Sequence, residues 1–391
     1  MQQVTTDRAI PTHGRRAVAA LYLAASIPPG SWIGRIPDIK VALAANDARW
    51  GFANSLGTLG ELIGYVAIAL LIGRVSTRRI AILASIIVVL ASPMLAFAPT
   101  LTALSASLFV WMVAGKALGT TMGALALVEQ RHAGRVLMTR YDAVYSLGML
   151  AGGGLAWACI RTAVPPGWQF AVTNLILLTG LLVAIRHLRD EEASPTADEC
   201  SVRRLAHRLQ PTLLLLAGIS LLASLIDSAL SQWGALFLTT ISGGDASWGA
   251  LVYPAMMCTK IIILIRMDRL INIIGWSRTL YLSTVLTSAA IITATITKSS
   301  TVALIGLALV GAGTAVLGPL VNTGAAEQPR LSAGEARTML ELGEIPAYLV
   351  MPAIIGLLST QIGLGRAIQL ATLTAILGCA AIGRITRVDD S

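Results

Sequence analysis

Charged residues are scarce in this chain. Of its 391 residues only 13% are Asp, Glu, Lys or Arg, whereas 55% are hydrophobic. Soluble domains carry roughly 25% charged residues, so this composition excludes a soluble globular fold. Apolar stretches of about 20 residues, long enough to cross about 30 Å of hydrocarbon, recur along the chain. The sequence therefore predicts an all-α integral membrane protein.

Histidine, cysteine and the common catalytic motifs are also scarce or missing. The four cysteines are scattered without the spacing of metal ligands, and the four histidines all fall in hydrophilic segments. Neither a G-x-x-x-x-G-K-[S/T] nucleotide-binding loop nor a G-x-S-x-G hydrolase motif is present. We therefore expect no metal, no cofactor and no enzymatic activity. Energy for any transport should come from an ion or solute gradient.

Twelve apolar stretches are long enough to be membrane spans. They lie at 16–36, 49–73, 79–97, 101–126, 140–161, 168–187, 211–239, 247–266, 278–297, 301–324, 335–360 and 364–383. The longest hydrophilic gap separates the sixth span from the seventh. We therefore predict an N-terminal six-helix bundle over 1–187, a cytoplasmic linker over 188–210 and a C-terminal six-helix bundle over 211–391.

Basic residues are unevenly divided between the two sides that these spans define. Of the 29 lysines and arginines, 21 fall in the terminal segments and in the loops after spans 2, 4, 6, 8 and 10, and six fall in the opposite loops. Loops rich in Lys and Arg remain in the cytoplasm. We therefore expect a multi-pass protein of the cytoplasmic (plasma) membrane with both termini inside. The net charge of +9 then sets orientation and does not indicate a nucleic-acid partner.

A short repeat relates the two halves. The pentapeptides DARWG and DASWG begin at Asp47 and Asp245, each at the entrance to the second span of its half. Together with the six-plus-six spans, the repeat indicates duplication about a pseudo-two-fold axis along the membrane normal, with a substrate site between the halves. We expect both aspartates to cap helix N-termini, and Trp50 and Trp248 to sit at the membrane interface.

Two polar stripes cross otherwise apolar spans. Residues one or two helical turns apart share a face, so such a stripe must face a cavity or a polar helix rather than lipid. The second span carries Asn54, Thr58, Glu61 and Tyr65, and the seventh carries Ser220, Ser224, Asp227 and Ser231.

Other ionisable residues within the spans are Lys116, Lys260, Glu341 and Glu344. A charge at the bilayer centre costs at least about 2.5–3.5 kcal/mol, so each is a functional candidate. Two interpretations stay open: structural ion pairs, such as Glu61 with Lys116 or Lys260 with a carboxylate of span 11, and roles in coupling or substrate binding. Because desolvation disfavours the charged form of a carboxylic acid, the proton-coupling candidates are Glu61, Asp227 and Glu344.

The first span contains the pair Pro28-Pro29. A proline ring removes a backbone donor and clashes with the preceding turn, so the pair should bend or break the helix. A simple kink or an early helix end is one outcome. A gating or substrate-contact role is the other.

These features resemble the major facilitator superfamily. That family carries G-x-L-x-D-R-x-G-R-R between spans 2 and 3, and ALLIGRVSTRR at 69–79 fits it at Leu71, Arg74 and Arg78. DRLINIIGWSR at 268–278 is a weaker second copy.

The resemblance implies a cytoplasmic gate at these loops, although Gly73 stands where the family has its aspartate. The gating candidates are Arg74, Arg78, Arg79, Asp268 and Arg269. Because the family's first, fourth, seventh and tenth spans usually line the central cavity, the resemblance also points to substrate-binding candidates, which are Tyr22, Lys116, Asp227, Gln232, Trp233 and Asn322.

Four segments resemble a bacterial subgroup of rhizopine-transport-like membrane proteins. They are GSWIGRIP at 30–37, VEQRHAGRVLMTRYDAVYSLGMLAGG at 128–153, DSALSQWGALFL at 227–238 and MPAIIGLL at 351–358. The subgroup implies a small polar organic solute. Drug–proton antiporters end a fifth-span motif in G-P-x-x-G-G, whereas SLGMLAGGGLAW has no proline, so we interpret its glycines as helix-packing residues.

The sequence thus predicts a secondary transporter that works by alternating access, with the solute, the lipid bilayer and protons as its partners. Proton coupling and the direction of transport stay open. The alternatives are a drug or metabolite efflux pump of the same superfamily and a solute sensor that does not transport.

Overall fold

A computed structural model describes residues 13–71, 74–133, 137–186, 188, 211–241, 243–319, 321 and 333–388, and its regular structure within these ranges is entirely α-helical. The helices, in chain order, are α1 (His13–Ala42), α2 (Asp47–Leu71), α3 (Thr77–Phe97), α4 (Leu101–Ala133), α5 (Met138–Arg161), α6 (Pro166–Ile185), α7 (Pro211–Ile241), α8 (Ala246–Ala250), α9 (Val252–Ile265), α10 (Met267–Ile274), α11 (Trp276–Ile296), α12 (Ser300–Thr314), α13 (Ala333–Ile362) and α14 (Leu364–Val388).

These helices supply the twelve predicted spans. Only Leu251 separates α8 from α9, and together they form one apolar segment over Ala246–Ile265. Ten segments of the described chain are long and apolar enough to cross a membrane, and α2 and the shorter apolar α6 complete the set. The short α10 links two spans. With twelve crossings, the two ends of the described chain lie on one side, which we call the terminal side; the opposite side is the far side.

The packing of the second half repeats that of the first. In the first half α1 packs on α5, α2 on α4, and α3 on α6. In the second half α7 packs on α13, α9 on α12, and α11 on α14. These are corresponding spans, so the duplication indicated by the short pentapeptide repeat extends through both six-helix bundles.

Contacts between the bundles are made mainly by α2 with α13, by α5 with α8 and α9, and by α1 with α7, α8 and α9. Glycines bring the backbones together. A Cβ atom added to Gly51 would lie 2.2 Å from the carbonyl oxygen of Pro352, and one added to Gly356 would lie 2.5 Å from that of Asp47. Such spacing leaves no room for a side chain, as in small-residue helix contacts of other membrane proteins.

The first helix is longer than predicted. It runs unbroken through Pro28 and Pro29 to Ala42, so the predicted end near residue 36 is wrong. A buried arginine lies close to the predicted end of this helix, since Arg35 is only 2% exposed.

Arg35 can be buried because each of the three nitrogens of its guanidinium group donates a hydrogen bond. It donates to Gln169 Oε1 at 2.6 Å, to the carbonyl oxygen of Val164 at 2.6 Å and to Asp38 Oδ2 at 2.5 Å. A buried charge persists only when it is paired and hydrogen-bonded. The cluster fastens α1 to the start of α6.

The two pentapeptide aspartates behave differently. Asp245 caps α8 as predicted, accepting from the Ser247 amide at 2.9 Å, and hydrogen bonds from Ser247 hold the pKa of this carboxyl below its usual value. Asp47 does not cap α2, because Asn46 accepts from the Arg49 amide at 2.9 Å in its place. The capping prediction for Asp47 is therefore wrong.

The side chain of Trp50 packs inside the protein rather than against lipid. Trp50 is 1% exposed, and its ring stacks on Trp32 with centroids 6.4 Å apart. Trp32 in turn contacts Trp111 at 6.5 Å. These three indoles join α1, α2 and α4 in the core of the first bundle, so the aromatic residue serves packing rather than membrane anchoring.

The glycines of the fifth span pack α5 against its neighbours, as expected. A Cβ at Gly152 would lie 2.2 Å from the Ile27 carbonyl oxygen, and one at Gly153 would lie 2.4 Å from Pro254 Cγ. The adjacent Gly154 meets no atom within 4 Å. Of these three consecutive glycines, Gly152 and Gly153 therefore pack closely against a neighbouring helix and Gly154 does not.

This difference yields a matched pair of substitutions. Gly152→Ala should lower the thermal unfolding temperature of the detergent-purified protein, because overpacking costs about 1–3 kcal/mol. Gly154→Ala should leave that temperature unchanged or raise it slightly, since alanine favours a helix by about 1 kcal/mol over glycine. Equal unfolding temperatures for the two variants would contradict the backbone contact between α1 and α5.

Candidate functional site at mid-membrane

Charged residues from both bundles lie near the middle of their helices. Lys116 is 15 residues from the start of α4 and 17 from its end, and Asp227 is 16 residues from the start of α7 and 14 from its end. At a rise of 1.5 Å per residue, both are about 20–25 Å from either end. Both therefore belong to the middle of the membrane.

In the first bundle, Glu61 and Lys116 form an ion pair. Lys116 Nζ lies 3.6 Å from Glu61 Oε1 and 5.3 Å from the ring centre of Tyr65, so two residues of the α2 stripe hold the same ammonium group. The two charged side chains remain 16% and 27% exposed. The predicted pairing of these residues is therefore present, and solvent in the cavity can still reach it.

The equivalent position of the second bundle carries no charge. Thr259 lies 198 residues after Glu61, and its hydroxyl donates to the carbonyl oxygen of Ala308 on α12. Since α9 and α12 are the counterparts of α2 and α4, a neutral hydrogen bond replaces the ion pair. The duplicated halves have diverged at this point.

In the second bundle, the polar stripe of α7 faces α13. The hydroxyl of Tyr348 donates to Asp227 Oδ2 at 3.1 Å, and that of Ser220 donates to Glu344 Oε1 at 2.5 Å. The expectation that this stripe faces another polar helix is confirmed. Both carboxylates are bound by hydroxyl groups of a neighbouring helix.

Asp227 keeps part of its surface exposed. Along its length α7 contacts α1, α8, α9, α12, α13 and α14. Ile226 and Leu230, the neighbours of Asp227, are at most 1% exposed, whereas Asp227 is half-buried. We interpret the exposed surface of Asp227 as lining a cavity between these helices.

Tyrosines link the two bundles at this level. Glu61 and Asp227 both act electrostatically on the hydroxyl of Tyr145 on α5, and Asp227 also acts on that of Tyr253 on α9. Tyr348 lies within electrostatic range of Glu61 as well as of its own bundle's carboxylates. We call this set the central cluster: Glu61, Lys116, Asp227, Glu344, Tyr65, Tyr145, Tyr253 and Tyr348.

Sequence reasoning missed Tyr145 and Tyr253. Each of them has a phenolic hydroxyl within an apolar span, and this polar group could have indicated them. It is a weaker indication than the charge of Glu61, because a hydroxyl costs less to bury. Two other candidates prove to be core residues: Trp233 is 0% exposed, and Tyr22 is 5% exposed and stacks on Tyr141. Gln232 is half-buried, and its Oε1 has no hydrogen-bond partner in the described part of the chain.

The remaining predicted positions lie away from the central cluster or outside the described residues. Arg74 and Arg79 are exposed near the junction of α2 and α3, where the Arg79 amide donates to Ser76, and Arg78 is half-buried. Arg269 is exposed on α10. Asn322 lies outside the described residues, as do the side chains of Asp268 and Glu341. The gating assignment stays a prediction.

Among the described residues, no group of three His, Cys, Asp or Glu side chains is arranged to hold a metal ion. Lys260 is half-buried on α9 and forms no ion pair with a described carboxylate. The chemistry of the cavity therefore rests on one ion pair, two hydroxyl-bound carboxylates and a set of phenols.

Two six-helix bundles around charged side chains at mid-membrane define a multi-pass membrane transport protein. The model of the Major Facilitator Superfamily matches residues 18–342. The chain therefore belongs to the Major Facilitator Superfamily, and the resemblance predicted from its sequence is confirmed.

Relatives of similar length support this assignment. The chain is 28% identical over 374 residues to the membrane protein MosC of Rhizobium meliloti, covering 94% of this chain and 89% of MosC. It is 23% identical over 365 residues to an uncharacterized MFS-type transporter of Yersinia pestis, covering 93% and 91%.

Solved structures share the fold. A bacterial homolog of the human lysosomal transporter Spinster, in an inward-facing and occupied conformation, has a TM-score of 0.76 at 14% identity, covering 98% of both chains. The nucleoside transporter NupG has a TM-score of 0.75 at 13% identity, covering 96% of this chain and 98% of its own. At such identities the likeness concerns the fold alone.

The ion pair between α2 and α4 can be tested by a double-mutant cycle. Lys116→Met leaves the Glu61 carboxylate in the membrane without the cation found here, so we expect a loss of about 1–3 kcal/mol of unfolding free energy, between the values for exposed and buried pairs. Glu61→Gln combined with Lys116→Met should recover part of that loss. Additive effects in unfolding measurements would show that the two side chains do not interact.

Proposed function

We propose that the chain is a secondary active transporter that moves a small polar organic solute across the cytoplasmic membrane by alternating access. The central cluster carries this proposal, because it places charged and phenolic groups of both bundles around one cavity at mid-membrane. A solute bound there would contact both bundles. Rocking of the bundles around such a solute would expose it to one side of the membrane and then to the other.

Contacts at the far side support this mechanism. Ser359 on α13 donates to Asp47 Oδ2 at 2.7 Å, and the Ala353 amide donates to Ser55 Oγ at 3.2 Å. Pro352 explains the second bond, because a proline inside a helix disturbs the local hydrogen-bond ladder. With Gly51 and Gly356 between them, these residues form what we call the far-side contact: Asp47, Gly51, Ser55, Ala353, Gly356 and Ser359.

The far-side contact indicates which side of the cavity is closed. Every hydrogen bond between the bundles in the described chain belongs to it. The excess of Lys and Arg in terminal-side segments assigns that side to the cytoplasm. This conformation is then closed to the outside, as in the inward-facing Spinster homolog that shares its fold.

Glu61 is the leading candidate for proton coupling within this proposal. The attraction between Lys116 and Glu61 depends on the charge of this carboxylate, so a proton on Glu61 would weaken the hold on the ammonium group. Proton binding would thereby change the charge that a solute meets in the cavity. Glu344 and Asp227 are the further candidates, each bound by a hydroxyl group.

The transport proposal is tested by flux. A thermal-shift screen of metabolites on the purified protein first identifies a ligand, since a ligand that binds only the folded state raises its stability. Uptake of that ligand into proteoliposomes is then measured with and without an imposed pH gradient. A ligand that binds but shows no flux under any gradient would favour the sensor alternative.

The proton-coupling assignment needs a separate readout. We expect Glu61→Gln to abolish accumulation driven by a pH gradient but to retain exchange of labelled for unlabelled solute, because exchange needs no net proton movement. Glu344→Gln and Asp227→Asn are compared in the same assay. If all three variants still accumulate solute against its gradient, the proton assignment is wrong.

The far-side contact should stabilise the conformation that is closed at the far side relative to the one that is open there. Removing the Ser359 hydroxyl deletes a bond between bundles, so Ser359→Ala should increase labelling of a single far-side cysteine by a membrane-impermeant thiol reagent about threefold or more, with the native cysteines replaced by serine. Ser31→Ala is the matched control, because Ser31 donates to Gly152 within one bundle at 3.1 Å. Equal labelling of the two variants would exclude a gating role for Ser359.

A further inference from the structure

The partners of Asp227 differ from those of the other charged groups. Lys116 lies beside Glu61, and Arg35 is bound by three acceptors in its own bundle. Asp227 has one hydrogen-bond partner, the neutral hydroxyl of Tyr348, and forms no ion pair in the described chain. A carboxylate at mid-membrane is costly without a counter-charge. The cavity therefore offers a negative site that a cationic ligand would balance.

The surroundings of this carboxylate are aromatic. Tyr348 on α13 donates to Asp227 Oδ2 at 3.1 Å, and Tyr145 on α5 and Tyr253 on α9 lie within electrostatic range of the same carboxylate. Tyr145 and Tyr348 are half-buried, so part of each phenol faces open space. Tyrosine faces attract organic cations within about 6 Å of the ring, and carboxylate-lined aromatic cages favour ammonium groups. An inorganic cation would instead need six or more oxygen ligands or a cage of carbonyl groups.

We propose that Asp227, Tyr145, Tyr253 and Tyr348 form a subsite for an organic ammonium group of the transported solute. This inference rests on the proposed transport function and names its substrate class. Asp227 supplies the counter-charge, and the three phenols replace part of the water that the cation loses on entering the membrane. Tyr145 belongs to the first bundle and Asp227 to the second, so one ammonium group would engage both bundles at once.

The assignment separates the roles of two carboxylates. Glu61 already has a cationic partner in Lys116, so it is suited to binding and releasing a proton rather than a cationic ligand. Asp227 has no cationic partner in the described chain, so it is suited to binding a cationic ligand.

The subsite is tested with two pairs of probes that differ in charge but hardly in shape. Choline is compared with 3,3-dimethylbutan-1-ol, in which carbon replaces the ammonium nitrogen, and 2-aminoethanol is compared with ethane-1,2-diol. The full-length protein in detergent is heated with each probe, with sodium chloride at equal concentration as the inorganic control. We expect at least one ammonium probe to raise the unfolding temperature and its neutral counterpart to leave it unchanged.

Substitutions at two residues, Asp227 and Tyr348, assign the effect to the subsite. Asp227→Asn should weaken binding of the stabilising probe at least tenfold, and Tyr348→Phe, which keeps the ring, should weaken it less than Tyr348→Leu. Asp245→Asn is the control and should retain binding, because Asp245 lies outside the central cluster and asparagine also caps a helix N-terminus. Should Asp227→Asn fail to fold, the comparison of Tyr348→Phe with Tyr348→Leu still reports on the ring face.

The outcomes also separate this inference from the transport proposal. Stabilisation by neither ammonium probe, equal stabilisation by neutral probes, or equal stabilisation by sodium would each overturn the ammonium subsite. Flux of a neutral or anionic solute in proteoliposomes would overturn it while leaving the transport function intact. Binding of an ammonium probe at Asp227 with no flux of any solute would support the subsite and count against transport.

Discussion

A charge inside the membrane must be surrounded by partners, and this requirement organises the chain. Arg35 is buried at the far end of α1 and fastens that helix to α6 through three acceptors. Glu61 and Lys116 tie α2 to α4 at mid-membrane. Asp227 and Glu344 tie α7 to α13 through hydroxyl groups. Because desolvation makes an unpartnered charge costly, each of these residues fixes which helices must be neighbours.

Backbone contact supplies the second constraint, and it acts at a different level of the membrane. Gly51 and Gly356 let α2 and α13 touch at the far side, where small side chains leave no space for water. The polar groups of the central cluster lie deeper along the helices. Tight packing at one level and polar groups at another are what the proposed cavity, closed at the far side, requires. That arrangement is what a carrier needs if its two bundles move as units.

Much of the fold could be predicted from the sequence, because span length and hydropathy depend on local composition. The twelve spans and the two polar stripes were found in this way, and the stripe of α7 does face a polar helix. The predictions that were wrong depend on contacts between distant segments. Nothing local marks Arg35 as buried, since its acceptor Gln169 is 134 residues away. Trp50 likewise packs on Trp32 rather than on lipid.

The site was only partly predictable for the same reason. Glu61 and Lys116 stand out because each is a charge within an apolar run, whereas their pairing depends on how α2 and α4 pack. Asp47 and Asp245 occupy equivalent places in a repeated pentapeptide, yet Asp245 caps its own helix while Asp47 accepts a hydrogen bond from the other bundle. Closely similar local sequences therefore cannot settle which role an aspartate takes.

Divergence between the duplicated halves explains how one cavity can hold two kinds of carboxylate. In the first bundle the charge at Glu61 is balanced by Lys116, and in the second the matching position, Thr259, is neutral. The second bundle instead carries Asp227 on its cavity-lining helix, bound only by a phenol in the described chain. The described chain thus has one mid-membrane carboxylate that is paired with a cation and one, Asp227, that is not. The proposed division of roles, a proton at Glu61 and a solute at Asp227, depends on this difference.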